Sequence, residues 1–478
     1  MMMRSLLWTL SIIALSVMPV FAEETLEERV KILEEALRKA QEYGSREIRQ
    51  ERSSPPATQY PVPTGPITDI KVERKGEERI PLGFGSTGSG KLIYAKPFLS
   101  MPKATVGGYA DVMYNILSRQ NLDNPSRNSF GQQRLVPFIY GDITDRVKFA
   151  AEIELERGGT SAPISGDGSI NVEFAQIDYL VNETINLRGG ILLVPVGKFN
   201  LLHDSPLNDL VDRPMVSRQI IPSTWFEAGA GIYGTVYPTS LSKIDYEVYA
   251  FNGMTQTAGG ITDLGVRNAR GSLSRDRDDN KAIAGRVAIS PMLGIEVAGS
   301  AYHGQYKTTA GAVSAGMINI YALDWTLQRG PFEVIGEAAI SRISNNNATG
   351  VTSRGIGPAG MFGYYVQGNY HFMPELLRRL APSHFSEAST FTFTLRWEQI
   401  DTDTDNRTLA NALGNQRELD RLTVGLNFRP IEDTVFKVNW QYNTQNDNVS
   451  GHVPVGDFNS SASRMDGDGF LFQMATYF

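Results

Sequence analysis

The chain has 478 residues, no cysteine, and 45 basic against 52 acidic residues, which leaves a formal net charge of -7. The absence of cysteine excludes disulfide scaffolds, thiolate zinc sites and cysteine nucleophiles. The acidic balance excludes the cationic surface that nucleic-acid binding requires. A chain of this length would ordinarily divide into several domains, but the residue pattern predicts one large sheet.

Residues 1–22 have the features of a secretory signal peptide. Arg4 precedes an apolar run at residues 6–17, and the small residue Ala22 ends the segment. The run is shorter than the ~18 apolar residues that a membrane-spanning helix needs. We therefore predict that the chain is exported and that residues 1–22 are removed.

Two segments of different character follow. Residues 23–50 are rich in helix-forming residues, with an apolar heptad seam at Leu26, Val30, Leu33, Leu37 and Ala40. The seam predicts a helical coiled-coil segment that assembles as a homotrimer, although a lone amphipathic helix would show the same spacing. Residues 51–102 are rich in Pro and Gly and predict a linker.

From residue 103 to residue 478 the chain consists of short segments in which apolar and polar residues alternate. In the segment around residues 391–398, Phe391, Phe393, Leu395 and Trp397 alternate with Thr392, Thr394, Arg396 and Glu398. Alternation of this kind places one face toward lipid and the other toward water. Sixteen candidate strands begin near residues 104, 133, 146, 170, 185, 225, 242, 281, 293, 317, 332, 361, 389, 419, 433 and 469. The fold class predicted is all-β, a transmembrane antiparallel β-barrel of about 16 strands.

The connections between the candidate strands alternate between short turns and long polar loops. Short turns are expected near residues 143–145, 182–184, 238–240, 291–292, 329–331 and 430–432. This asymmetry is typical of outer-membrane barrels, whose periplasmic turns are short and whose outer loops are long. Residues 373–387 are the exception, and a short helix is expected at Glu375–Leu380.

The last predicted strand ends on an aromatic residue. Phe470, Phe472, Met474, Thr476 and the terminal Phe478 share one face of this strand. A terminal Phe on an alternating strand resembles the insertion signal that the outer-membrane assembly machinery reads. Together with the predicted export signal, it favours localisation in the outer membrane of a Gram-negative-type cell.

The connection at residues 198–224 is unusually apolar for a loop. It contains the runs P-L-N-D-L-V-D-R-P and I-I-P-S-T-W-F-E-A-G-A-G, and residues 197–234 resemble the porins of the phosphate-selective O/P type. The resemblance implies a sixteen-stranded, trimeric porin whose third long loop folds into the lumen. Because the loop carries many apolar residues, we expect it to pack against the inner wall, with its charged residues at the narrowest point. The expected constriction residues are Lys198, Asp209, Asp212, Arg213 and Arg218.

The inward faces of the predicted strands carry charges of both signs. The expected lumen-lining residues are Glu152, Glu154, Glu156, Arg188, Arg286, Arg396 and Arg421. A phosphate pore is expected to present rows of arginine and lysine instead. We therefore predict little ion selectivity or a weak preference for cations. A simpler interpretation of the loop is that Asp212 and Arg213 pair to hold it together.

No motif for catalysis or for a cofactor emerges. The glycine-rich segment that ends at Lys91 lacks the hydroxyl residue of a phosphate-binding loop, because Leu92 follows the lysine. Asp401, Asp403 and Asp405 lie at calcium-loop spacing, but Ala412 occupies the position of the required glutamate. The five histidines are scattered along the sequence. We therefore predict no enzymatic activity, no cofactor and no metal ion.

These observations favour passive diffusion of small hydrophilic solutes or ions through a water-filled pore, with outer-membrane lipid around the barrel. The competing hypothesis is a structural or sheathing barrel, either plugged or tethered to the cell wall or to a partner through its N-terminal helix. Residues 23–50 fit both hypotheses equally well.

Overall fold

The computed structural model describes residues 103–118, 127–157, 168–254, 261, 265–270, 273, 281–306, 316–344, 358–405, 418–445 and 468–478. The predicted signal peptide, coiled coil and linker lie outside these residues, as does the glycine-rich segment that ends at Lys91. Within the described ranges, no helix has the length and apolar character to cross a membrane.

The described residues form sixteen strands. They are β1 (Lys103–Ser118), β2 (Arg127–Asp142), β3 (Val147–Glu156), β4 (Ser169–Leu180), β5 (Asn186–Leu193), β6 (Phe226–Val236), β7 (Lys243–Phe251), β8 (Ala282–Met292), β9 (Ile295–Tyr306), β10 (Gly316–Arg329), β11 (Phe332–Ile343), β12 (Gly360–Phe372), β13 (Thr390–Asp401), β14 (Glu418–Ile431), β15 (Thr434–Gln445) and β16 (Asp468–Tyr477). Each strand pairs with its neighbours in sequence, and β1 pairs with β16 to close the barrel. The predicted antiparallel β-barrel is confirmed. One boundary differs clearly, since β2 begins at Arg127 rather than near residue 133.

Short helical segments interrupt the connections. They are α1 (Lys198–Leu201), α2 (Val216–Gln219), a 3-10 turn (Arg267–Ala269) and α3 (Glu375–Leu380). The last of these has the predicted bounds. Connections at one end of the barrel are short, such as residues 293–294 and 330–331, whereas the connection at residues 194–225 at the other end is long. The two ends are called the turn end and the loop end below.

The seam between β1 and β16 includes the last residue of the chain. The backbone N–H of Phe478 donates to the carbonyl oxygen of Gly108 at 2.9 Å, and the N–H of Gly108 donates to the Phe478 carbonyl at 3.1 Å. A Cβ at Gly108 would lie 2.3 Å from the carbonyl oxygen of Val136 and 2.9 Å from the Phe478 ring. Glycine at position 108 therefore leaves room for the backbone of β2 and for the Phe478 ring.

The two faces of the strands have opposite chemistry, as β13 shows. Phe393, Leu395 and Trp397 are 45%, 47% and 42% exposed, whereas Thr394, Arg396 and Glu398 are 0%, 2% and 0% exposed. A soluble β-sandwich buries its apolar side chains and exposes its polar ones. The arrangement is reversed here, and the outer wall is therefore suited to lipid.

Aromatic rings form a continuous belt around part of the outer wall at the turn end. Register places Phe332 opposite Tyr370, Phe372 opposite Phe391, and Phe428 opposite Phe436. The ring centroids of Phe332 and Tyr370 are 5.0 Å apart, and those of Phe391 and Phe428 are 4.8 Å apart. Belts of this kind mark the interface between membrane and water in outer-membrane barrels.

The main apolar core lies inside the barrel rather than between two sheets. It forms where the connection at residues 194–225 packs against the inner wall at β7–β13. Buried members of this core include Val216, Ile220, Ile221, Trp225, Tyr302, Ile318 and Ile320. These apolar contacts therefore hold the connection inside the barrel, against one part of the wall.

Candidate functional site

Residues 194–225, here called the inward loop, leave the end of β5 and turn into the barrel at Gly197. The φ angle of Gly197 is +72°, in a region that other residues rarely adopt. A Cβ at this position would lie 2.5 Å from Oε2 of Glu337 on β11. The loop therefore requires glycine at its entry both for the backbone conformation and for space.

The two ends of the inward loop are joined by the buried side chain of Asn200. Its Nδ2 donates to the carbonyl oxygens of Val194 and Trp225, at 2.8 and 3.0 Å. Its Oδ1 accepts from the Ser223 hydroxyl at 3.1 Å and from the Trp225 N–H at 2.8 Å. One amide thus joins Val194 at the start of the loop to Ser223 and Trp225 at its end, with its donors and its acceptor both used.

Apolar residues fix the inner side of the loop, as its composition led us to expect. Leu210, Val211, Ile220 and Ile221 are buried, and the Trp225 ring lies 4.7 Å from the Tyr302 ring of β9. Leu202 and Leu207 of the same loop are not buried, since their side chains are 48% and 50% exposed.

The first turn of the loop is bonded to β9, β10 and β11. Nζ of Lys198 lies 3.0 Å from Oε1 of Glu296 and 2.8 Å from the Thr326 hydroxyl. Glu337 accepts from the backbone N–H of Phe199 at 3.1 Å and from the Ser217 hydroxyl at 2.6 Å. Glu337 therefore holds both α1 and the first turn of α2 against the wall.

Asp212 is the centre of a buried ionic network. Its carboxylate accepts from Arg421 of β14 at 2.5 Å and from Arg218 at 3.2 Å, and its carbonyl oxygen accepts from Arg396 of β13 at 2.9 Å. Burial opposes ionisation of Asp212, but the arginines outweigh it and hold the pKa of this carboxyl below its usual value. No described hydrogen bond joins Asp212 to Arg213, and the network holds the loop through Arg218 and the wall instead.

Asp209 binds a different part of the wall. Its carboxylate accepts from the Asn369 side chain at 2.8 Å and from the Asn427 side chain at 3.2 Å, and it lies 3.5 Å from Nη2 of Arg429. Burial raises the pKa of Asp209, and Arg429 partly offsets that effect. The structure therefore places Asp209, Asp212 and Arg218 against the wall rather than in open water.

Arg213 lies in a cationic group that the sequence did not predict. It donates to the Thr224 hydroxyl at 3.3 Å, while Arg270 donates to the Thr224 carbonyl at 2.5 Å and Arg267 donates to the Ser223 carbonyl. Arg267 and Arg270 come from the long connection after β7. Their local sequence carries no loop-packing signal, and only the fold brings them to Arg213.

Acidic side chains of β3 and β4 lie within electrostatic range of these three arginines. Arg213 and Arg270 interact with Glu173, and Arg267 interacts with Glu156. Glu154 interacts with Arg213 and Arg270 and lies 3.3 Å from Arg134. The three arginines and the acidic side chains of β3 and β4 are therefore close enough to influence one another electrostatically.

The predicted lumen-lining residues divide by exposure. The side chains of Arg396 and Arg421 are 2% and 1% exposed because the inward loop covers them. The Arg188 side chain is 22% exposed, and Lys198, which was expected at the constriction, is 28% exposed. Glu152 and Glu154 are buried, Glu156 is half-buried, and the Arg286 side chain is 10% exposed.

The exposed charges indicate where water enters the barrel. Arg188 pairs with Asp178 at 2.7 Å, and Lys243 pairs with Asp245 at 2.7 Å. These pairs lie on β4, β5 and β7, away from the ionic network of Asp212 on β13 and β14. The more exposed of the inward-facing ion pairs therefore lie on a different part of the wall from the Asp212 network.

Comparison of the sequence with known proteins gives one relative and no family. No family model matches the chain. An uncharacterized protein of Aquifex aeolicus (strain VF5) is 30% identical over 285 residues, and the match spans 56% of this chain and 62% of that protein's length.

Solved structures that resemble the barrel include the following two. The anion-selective porin from Comamonas acidovorans is 13% identical, with a TM-score of 0.50 and coverage of 79% of this chain and 100% of its own. Salmonella typhi OmpF in complex with daunomycin is 12% identical, with a TM-score of 0.50 and coverage of 79% and 98%. At these identities the likeness shows the fold, which is that of outer-membrane porins.

Proposed function

We propose that the chain is an outer-membrane channel through which small hydrophilic solutes or ions diffuse passively. One observation carries the proposal: the inward loop packs inside the barrel, and Arg213, Arg267 and Arg270 lie within electrostatic range of the acidic side chains of β3 and β4. A low-dielectric wall strengthens charges at such a level relative to bulk water. The loop therefore forms the constriction of the pore.

The outer wall supports the location in the outer membrane. Exposed apolar side chains and the aromatic belt need lipid around them, because they would be unfavourable in water. We further propose that residues 1–22 direct export, that residues 23–50 form a coiled coil, and that three chains assemble. We also propose that the chain is related to the porins of the phosphate-selective O/P type.

We expect the channel to select weakly between ions. The partly exposed inward-facing charges include the pairs Arg188–Asp178, Lys243–Asp245 and Lys198–Glu296. Such pairs add no net charge to the lumen. The weak preference for cations expected from the sequence stays a prediction, tested by reversal potentials in asymmetric salt.

The deciding experiment is single-channel conductance in a planar bilayer, using the signal-free protein and a variant without residues 201–219. We expect discrete steps from the intact protein and larger steps from the variant, because the deletion removes the constriction. Heat-dependent mobility in SDS gels verifies that both proteins are folded barrels. Silence from both folded proteins would contradict the channel and favour a plugged or sheathing barrel.

A further inference from the structure

Two glutamates and a histidine meet at the contact between the inward loop and the wall. They are Glu152 of β3, Glu173 of β4 and His203 of the inward loop, here called the Glu-Glu-His cluster. One potential ligand atom from each residue lies within 4.8 Å of the other two. All three side chains are buried.

A β-bulge brings the two glutamates together. Glu152 pairs with Phe174 and the next residue, Ile153, pairs with Val172, so that Glu173 is the extra residue in β4. A bulge re-aims side chains and disrupts the strict alternation of faces. Glu173 therefore joins Glu152 inside the barrel, although alternation from Phe174 would turn it outward.

The hydrogen bonds of His203 determine how its ring is oriented. Nδ1 lies 3.0 Å from the carbonyl oxygen of Asn200, which can only accept, and Nδ1 must therefore carry a proton. Nε2 lies 2.9 Å from Oε2 of Glu173. In the neutral ring the lone pair of Nε2 points at the two carboxylates. Metal-ligating histidines have the same arrangement, with the other ring nitrogen bonded to a carbonyl or carboxylate.

The cluster also has an unsatisfied group. Oε1 of Glu152 is buried and has no hydrogen-bond partner. The nearby arginine of β2, Arg134, bonds to Asp111 and Glu154 instead. A buried carboxylate oxygen without a partner is costly, and a cation between the carboxylates would remove that cost.

We propose that Glu152, Glu173 and His203 bind one divalent transition-metal ion of the Zn²⁺ type. Two carboxylate oxygens and one imidazole nitrogen are three of the four ligands of a tetrahedral site, and water would supply the fourth. The imidazole disfavours Ca²⁺ and Mg²⁺, which prefer oxygen ligands throughout. The ion ties the inward loop to β3 and β4. The site does not depend on solute passage, and its test is separate from the conductance experiment.

The test uses the folded signal-free protein, stripped with a chelator, equilibrated with Zn²⁺ and analysed for bound metal. We expect one Zn²⁺ per chain, with affinity at least about tenfold weaker in Glu152→Gln and in His203→Gln. His371→Gln is the matched control. The Nε2 atom of His371 lies 3.7 Å from Glu333, on another part of the wall, and this variant should bind Zn²⁺ like the wild type.

Absorption spectra of the Co²⁺-loaded wild type provide a second measurement that needs no variant. We expect the intense visible bands of a four-coordinate site. Absence of bound Zn²⁺ from the wild type, or wild-type affinity in both folded cluster variants, would overturn the proposal. A Co²⁺ spectrum identical to that of the aqueous ion would do the same.

Discussion

Asp212 and Arg421 form a buried ion pair 2.5 Å long that joins the inward loop to β14, across 209 residues of sequence. Arg218 bonds to the same carboxylate, and Arg396 bonds to the Asp212 carbonyl. Removing this carboxylate would take away the anion that Arg421 and Arg218 share. The pair therefore offers a direct way to loosen the loop without deleting it.

We expect Asp212→Ala to destabilise the packed loop by about 3–5 kcal/mol, the usual cost of breaking a buried ion pair. Single channels of this variant should show larger or noisier steps. Asp245→Ala is the control, because its pair with Lys243 is 36–42% exposed and should contribute about 1 kcal/mol or less. Equal unfolding midpoints and equal channel steps for the two variants would rule out the anchoring role of Asp212.

Gly197→Ala should displace the entry of the inward loop. Alanine at this position would have an unfavourable φ of +72°, and its Cβ would lie 2.5 Å from Oε2 of Glu337. Gly330→Ala isolates the conformational cost, since φ is +56° and nothing lies within 4 Å of its Cβ. Urea unfolding should show a loss of about 1 kcal/mol in the control and a clearly larger loss at position 197. If the loss of unfolding free energy at position 197 were no larger than that of Gly330→Ala, Glu337 would have moved aside without cost.

Neutralising the cationic group should shift ion selectivity toward cations. In Arg213→Gln/Arg270→Gln the acidic side chains of β3 and β4 would face no compensating charge from these two positions. Reversal potentials in asymmetric salt measure the shift, which should diminish at high salt because of screening. Arg379→Gln on the exposed side of α3 is the control. An unchanged potential would show that permeating ions do not pass this level.

Deletion of Phe478 should weaken closure of the barrel. The deletion removes both backbone hydrogen bonds to Gly108, whereas Phe478→Leu keeps them and changes only the ring. Refolding yield, followed by heat-dependent mobility in SDS gels, should fall more for the deletion than for the substitution. Equal losses would assign the effect to the ring and not to the seam.

Local periodicity was sufficient to predict the barrel. In β13 the outward residues from Phe391 to Trp397 alternate with inward ones because successive side chains of a strand point to opposite faces. One face contacts lipid and the other faces a polar interior. The alternation of apolar and polar residues is therefore visible in the sequence of the strand itself. The helix Glu375–Leu380 was also predictable, because the features that favour a helix lie within its own short sequence.

The partners of the inward loop depend on the tertiary structure. Its apolar residues predicted packing, but they could not identify Arg421 as the partner of Asp212 or bring Arg267 and Arg270 to Arg213. The bulge at Glu173 was equally invisible, because alternation alone would turn that residue outward. Which side chains meet inside a barrel depends on register and on the path of the loop, and both arise from contacts between residues far apart in sequence.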